Sequence, residues 1–156
     1  QTERSRVINV ASGAHQFVKN MNFDDLQSKE NYKPMQVYGQ SKLANILFTK
    51  ALSTKLSDFG VTVNCLHPGF VSTGIGSNNN KTLWTFLMFL AKPFARKTDK
   101  GAETSIYLCS SPEVENISGE YFVDCKIEKI SEAAKSTEQS ESLWRISTEL
   151  TGIDLN

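Results

Sequence analysis

The sequence predicts an α/β fold: about three parallel strands in one sheet, with flanking helices. Three observations carry that reading. Two short apolar runs rich in β-branched residues, 6–12 and 61–66, have the composition of strands buried on both faces. Between them, residues 36–56 repeat their apolar side chains at three- and four-residue steps, as an amphipathic helix does. A strand, a helix and a strand joined by connections of this length form a βαβ unit, which makes the two strands parallel with a right-handed crossover.

Each element has its own signal. Arg6-Val7-Ile8-Asn9-Val10-Ala11-Ser12 ends its apolar run on a small polar residue and reads as the first strand. Residues 13–36 are polar and mixed, with Asn22-Phe23-Asp24-Asp25-Leu26 and Pro34, and read as a loop with one short helical turn. In the long helix, Leu43, Leu47 and Phe48, then Ala51, Leu52 and Leu56, make the apolar stripe, and Gly60 is its stop. Val61-Thr62-Val63-Asn64-Cys65-Leu66 is the second strand, broken by His67-Pro68-Gly69. Residues 70–80, rich in Gly, Ser and Asn, read as a loop. Residues 83–91 are the most apolar stretch but are too short to span a bilayer, which takes about 20 apolar residues. A helix over 98–110 opens at Thr98-Asp99 and ends before Pro112. Residues 119–123 read as the third strand, and 136–150 as a tail helix with Leu143, Trp144 and Ile146 on its apolar side.

Composition narrows the function. The chain has 156 residues, a common size for one domain, and 39% hydrophobic residues, ordinary for a soluble globular protein. Seventeen basic residues balance 17 acidic ones, so no nucleic-acid partner is expected. Cys65, Cys109 and Cys125 are odd in number and lack Cys-x-x-Cys spacing, which argues against a disulfide framework or a metal site and for buried free thiols. The first residues carry no basic and apolar segments of a secretory signal, so an intracellular location is expected and two glycosylation sequons, at Asn80 and Asn116, read as chance matches.

Tyr38-Gly39-Gln40-Ser41-Lys42 is the motif with the most chemistry in it. Residues four apart share one helix face, with β-carbons about 5–6 Å apart. A free phenol titrates near about pH 10 and is a poor proton donor at neutral pH; an adjacent ammonium stabilises the phenolate and lowers that value. Such a tyrosine can exchange a proton with an alcohol or a carbonyl. By spacing alone the signal is weak, and a solvated surface pair is the commoner reading. The topology adds weight: Ser12 closes the first strand, Tyr38 opens the next helix and His67-Pro68-Gly69 closes the second strand. All fall on the carboxyl edge of the sheet, where ligands of such folds bind.

These residues together resemble the short-chain dehydrogenase/reductase family. The strand ending at Ser12 looks like the family's serine strand, Tyr38 and Lys42 like its Tyr-x-x-x-Lys signature, and Pro68-Gly69-Phe70-Val71-Ser72-Thr73 like its Pro-Gly-x-x-x-Thr segment. A narrower resemblance is to the retinol dehydrogenase subfamily. It rests on the long step from Ser12 to Tyr38, on Ser41-Lys42-Leu43-Ala44-Asn45, on Gly101-Ala102-Glu103-Thr104 and on Ser118-Gly119-Glu120-Tyr121-Phe122-Val123. The family's Gly-rich dinucleotide motif and its proton-relaying asparagine have no counterpart here; Gly74-Ile75-Gly76 lacks the third glycine and reads as a loop. The resemblance therefore implies the C-terminal half of a doubly wound Rossmann-type parallel sheet: residues 1–156 form a partial catalytic domain without the N-terminal dinucleotide-binding half.

What the resemblance implies for the site is specific. Tyr38 is the general acid or base, Lys42 lowers its pKa and binds the nicotinamide ribose, and Ser12 holds the substrate oxygen. Pro68, Gly69, Val71 and Thr73 reach the nicotinamide. The implied cofactor is NADP, with NAD as the alternative. The implied reaction is hydride transfer on a hydrophobic alcohol or aldehyde such as retinol or retinal. Residues 83–91 are expected to cover a greasy substrate, rest on a membrane surface or pack as plain core, and the subfamily implies association with the endoplasmic reticulum membrane and a homodimer of the parent enzyme. No metal site is expected. His67 is read as structural and His15 as a loop residue. A non-catalytic fragment acting as a binding module stands as the alternative function.

Overall fold

The computed structural model describes residues 5–69 and 98–153. Strand β1 (Ser5–Val10) leads through a 3-10 turn (Gly13–Phe17) and a loop into helix α1 (Pro34–Lys55). Strand β2 (Val61–His67) follows. Helix α2 (Thr98–Ser110), the hairpin β3 (Tyr121–Val123) and β4 (Lys126–Ile127), and helices α3 (Glu132–Lys135) and α4 (Thr137–Thr151) complete the order. The sheet runs β1-β2-β3-β4, with the first three strands parallel and β4 antiparallel. Val71, Thr73, the Gly74-Ile75-Gly76 loop and residues 83–91, all singled out in the sequence, lie outside the described residues.

Alternation along the strands builds two cores. Cys65 and Tyr121 face α1, where Leu43, Ile46 and Leu47 join Ala133, Ala134 and Leu143 in one buried cluster. Their neighbours Leu66 and Phe122 face the other way and pack on Leu108 of α2 and Val114. A period of two thus places helices on both faces of the sheet. Asn64, buried between them, donates to Ile117 O (2.6 Å) and accepts from Glu120 N (3.0 Å), so its amide replaces a strand's missing backbone partners. Asn9 instead donates to the Thr49 hydroxyl at 2.9 Å, a side-chain rather than a backbone partner.

The structure departs from expectation at element ends. Helix α1 takes in Pro34, which the sequence assigns to the preceding loop, as its first residue. Proline at the first helical position gives up an amide that had no partner, and its fixed φ suits the helix. The third strand begins at Tyr121 because Gly119 turns with φ +82°, donating to Val63 O at 2.7 Å. The fourth strand has no counterpart among the sequence-predicted elements. Its two-residue turn, Asp124-Cys125, has φ of 50° and 61°, the backbone of a type I′ hairpin without the usual glycine. Of the cysteines, Cys65 is buried as expected, but Cys109 is exposed and Cys125 half-buried. Burial pushes the Cys65 thiol up to about 12, which makes it inert.

Among the described residues no helix is long and apolar enough to cross a membrane.

Candidate active site

Ser12 sits just past the end of β1, with extended backbone, and caps the 3-10 turn: its Oγ accepts from Ala14 N at 3.2 Å. A hydroxyl that accepts in this way keeps its own proton to donate. Helix α1 brings the rest. Tyr38 lies one turn from the start of α1 and is 43% exposed, so its ring is open to a ligand. Lys42 follows one turn later, and its Nζ stands 5.6 Å from the centre of the Tyr38 ring. The same ammonium donates to Val10 O at 3.4 Å. Pro68 and Gly69 follow the last residue of β2, and Gly69 has φ +79°, a conformation that favours glycine. Val10 pairs with Leu66, and Ala11 N donates to Leu66 O at 2.8 Å, so the ends of β1 and β2 are adjacent. Ser12, Pro68 and Gly69 thus leave the sheet on one edge.

The residues inside the motif hold the two halves of this edge together. Gly39 is buried where a Cβ would stand 3.0 Å from Ala14 O and 3.1 Å from Val18 Cγ1. The absence of a side chain lets α1 close on the turn that follows Ser12. Gln40 donates to Asn20 O (2.8 Å) and accepts from Asn22 N (3.0 Å), and Gln139 of α4 accepts from Met21 N (2.7 Å). The long loop is therefore pinned from two helices. Farther along, the Asp25 carboxylate accepts from the amides of Lys29, Glu30 and Asn31 at 2.7, 3.1 and 3.3 Å.

Two residues at the site escape a reading of the sequence alone. Asn45 donates to Val10 O at 3.0 Å, sharing that carbonyl with Lys42. The available signal is its position: three residues beyond Lys42 and seven beyond Tyr38 is the same helix face. His15, read from the sequence as a loop residue, lies in the 3-10 turn and is fully buried. Its Nδ1 lies 2.8 Å from Ser12 O, its Nε2 accepts from Ser131 N at 3.2 Å, and its ring meets Tyr121 edge-on at 5.2 Å. Burial holds its pKa below the ordinary histidine value, against the opposing pull of the Ser12 carbonyl. Burial likewise pushes the Tyr121 phenol upward, so that hydroxyl stays neutral. Among the described residues no cluster of His, Cys, Asp and Glu could hold a metal ion.

A serine just past one strand, a tyrosine and a lysine one helical turn apart on α1, and a Pro-Gly turn on the next strand are the features on which the comparisons with known proteins can be set. The family profile described as short chain dehydrogenase matches residues 1–84. Human retinol dehydrogenase 14 is 42% identical over 151 residues, covering 96% of this chain and 45% of the relative. Mouse retinol dehydrogenase 12 is 40% identical over 149 residues, covering 96% and 46%. The human WW domain-containing oxidoreductase is 37% identical over 155 residues, covering 94% of this chain and 37% of its own length. A crystal structure of an uncharacterised protein from Mycobacterium paratuberculosis superposes with a TM-score of 0.71 at 25% identity, over 98% of this chain and 52% of that one. The chain spans about half the length of the curated relatives it matches. By sequence and fold, it belongs to the short-chain dehydrogenase family.

Proposed function

We propose that residues 1–156 are the second half of a single Rossmann-type catalytic domain, and that they carry the acid–base half of a nicotinamide-dependent oxidoreductase site. The observation that carries this reading is the stacking of the Lys42 ammonium on the Tyr38 ring, at the sheet edge where Ser12 also lies. In carbonyl reduction the Tyr38 hydroxyl gives its proton to the developing alkoxide; in alcohol oxidation it takes that proton back. Lys42 holds positive charge beside the phenol in either direction. The Ser12 hydroxyl donates to the substrate oxygen and stabilises the charge that develops on it.

The residues present fit a nicotinamide cofactor. An ammonium and a phenol at the carboxyl edge of a parallel sheet match the hydroxyls of a ribose, and Gly69, with left-handed backbone, lies just past the end of the neighbouring strand. Bound there, the nicotinamide would supply hydride exchange, while the protein positions and polarises. Lys42 would hold the ribose, and Pro68, Gly69, Val71 and Thr73 the carboxamide side. NADP is the favoured form, on the subfamily resemblance. The similarity to retinol dehydrogenases supports a hydrophobic alcohol or aldehyde, retinol or retinal first, as substrate.

One observation favours a second reading, a binding module without turnover. Among the described residues β1 pairs on one side only, and Val10 is 50% exposed. A half-paired strand is a ready partner for another chain. Titration of the protein with NADPH, followed through Trp144 fluorescence, separates the two. Saturable binding with turnover of retinal supports the oxidoreductase; absence of both leaves the binding module.

A further inference from the structure

We infer that His15 is a positioning residue for Ser12, clamping the serine turn to the segment after the hairpin; this rests on the reading of Ser12 as the group that holds the substrate oxygen. The geometry fixes the tautomer. A carbonyl oxygen only accepts, so the nitrogen 2.8 Å from Ser12 O carries the proton, and that nitrogen is Nδ1. An amide only donates, so Nε2, 3.2 Å from Ser131 N, is bare. His15 is neutral with both nitrogens engaged, and fully buried. The Ser12 carbonyl thereby takes two bonds from one residue, since His15 N also donates to it at 3.2 Å.

The clamp ties distant parts of the chain. Ser131 caps α3 through Ala134 N, and α3 places Ala133 and Ala134 in the core beneath α1. Tyr121 braces the ring edge-on from β3. Ser12 is thus held through its carbonyl by His15 and through its Oγ by Ala14 N, so the imidazole anchors the backbone from which the hydroxyl projects. A side chain oriented by a buried partner is the pattern by which supporting residues tune a reacting group.

Two isosteric changes separate positioning from mere packing. In His15→Asn the side-chain amide N–H stands near Nδ1 and keeps the bond to Ser12 O. In His15→Gln the longer amide serves Ser131 N and leaves Ser12 O without its side-chain donor. In the intact protein, with NADPH and retinal, the expectation is kcat within about threefold of wild type for Asn and a loss of roughly 10- to 100-fold for Gln, with KM for NADPH unchanged in both. The Ser12 carbonyl 13C resonance should move in His15→Gln and stay in His15→Asn, whether or not the protein turns over. Equal kcat losses in the two variants, tracking their melting temperatures, overturn the inference. So does a carbonyl resonance that ignores both changes, or an imidazole 15N spectrum showing the proton on Nε2. A wild type that binds no NADPH and turns over no substrate would instead count against the oxidoreductase reading, with the 13C and 15N spectra still deciding the clamp.

Discussion

Gly39 is the position where the packing of α1 and the geometry of the site meet most directly. A Cβ there would sit 3.0 Å from Ala14 O, 3.1 Å from Val18 Cγ1 and 3.4 Å from Phe17 Cβ. Carbon contacts are most favourable at about 3.5–4.0 Å, so the turn must retreat by about 0.5 Å for alanine. Overpacking of this kind costs about 1–3 kcal/mol, and the helix gains back about 1 kcal/mol on exchanging glycine for alanine. Gly39→Ala should therefore change stability by less than about 2 kcal/mol. Gly39→Val adds two methyls to the same crowded space and recovers less propensity; its loss should be about 2 kcal/mol, or roughly 4–8 °C in Tm. The moving part is the turn that Ser12 caps. A misplacement of about 1 Å can cost about 100-fold in rate, so a shift of half that size should lower kcat roughly tenfold in Gly39→Ala while NADPH binding holds. Thermal melting and steady-state turnover measure both quantities. A Gly39→Val protein that melts with wild type and keeps its kcat would refute the claim that this glycine sets the distance between α1 and the serine turn.

Other consequences are simpler. Gly119 has φ +82°, and a Cβ there would stand 2.9 Å from Ser53 Oγ, so Gly119→Ala should cost about 1–2 kcal/mol, seen as a lower urea midpoint. Cys125→Gly relieves a non-glycine residue at φ 61° in a type I′ turn and should leave the urea midpoint equal or higher, by about 1 kcal/mol at most. Ser140 donates to Leu47 O at 2.7 Å in the core between α4 and α1; Ser140→Ala should lose about 0.5–1.5 kcal/mol, the net worth of that bond, since the carbonyl keeps its place in the helix. His15 is held neutral by burial, so its folded pKa lies below its unfolded value near 6.5. The unfolded chain then binds more protons as pH falls, and the stability His15 contributes is complete above about pH 6.5 and lost as pH drops through the folded pKa. Urea melts at stepped pH should show that loss in wild type and not in His15→Asn.

The chain's architecture is legible in its sequence where one physical rule acts alone. Period-two alternation in Cys65-Leu66 and Tyr121-Phe122 assigns the two faces, and the spacing of Leu43 and Leu47 sets the buried stripe of α1. That Ser12 and the Pro68-Gly69 turn leave the sheet side by side follows from the strand ends, and that Tyr38 and Lys42 share a face follows from the helical repeat. What stays hidden depends on tertiary partners. The β4 strand is two residues long and its turn carries Asp124-Cys125 instead of Asn-Gly, so no local signal marks it. His15 looks like any polar loop residue until Ser131, far along the chain, supplies its second partner. Gln40 and Gln139 pin the same loop from helices that lie far apart in the sequence. The gap between loop propensity and observed order in residues 20–31 is filled by these long-range amide contacts and by Asp25, none of which periodicity encodes.

The central claim is that Tyr38 moves the proton, with Lys42 beside it. Its most direct test is turnover of the intact protein with NADPH and retinal, comparing wild type with Tyr38→Phe, a change that removes one exposed oxygen and leaves the ring under the Lys42 ammonium. Expected are unchanged melting, retained NADPH binding and a fall in kcat of about 100-fold or more, the range general acid–base catalysis supplies. Turnover surviving within a few-fold of wild type would contradict the claim.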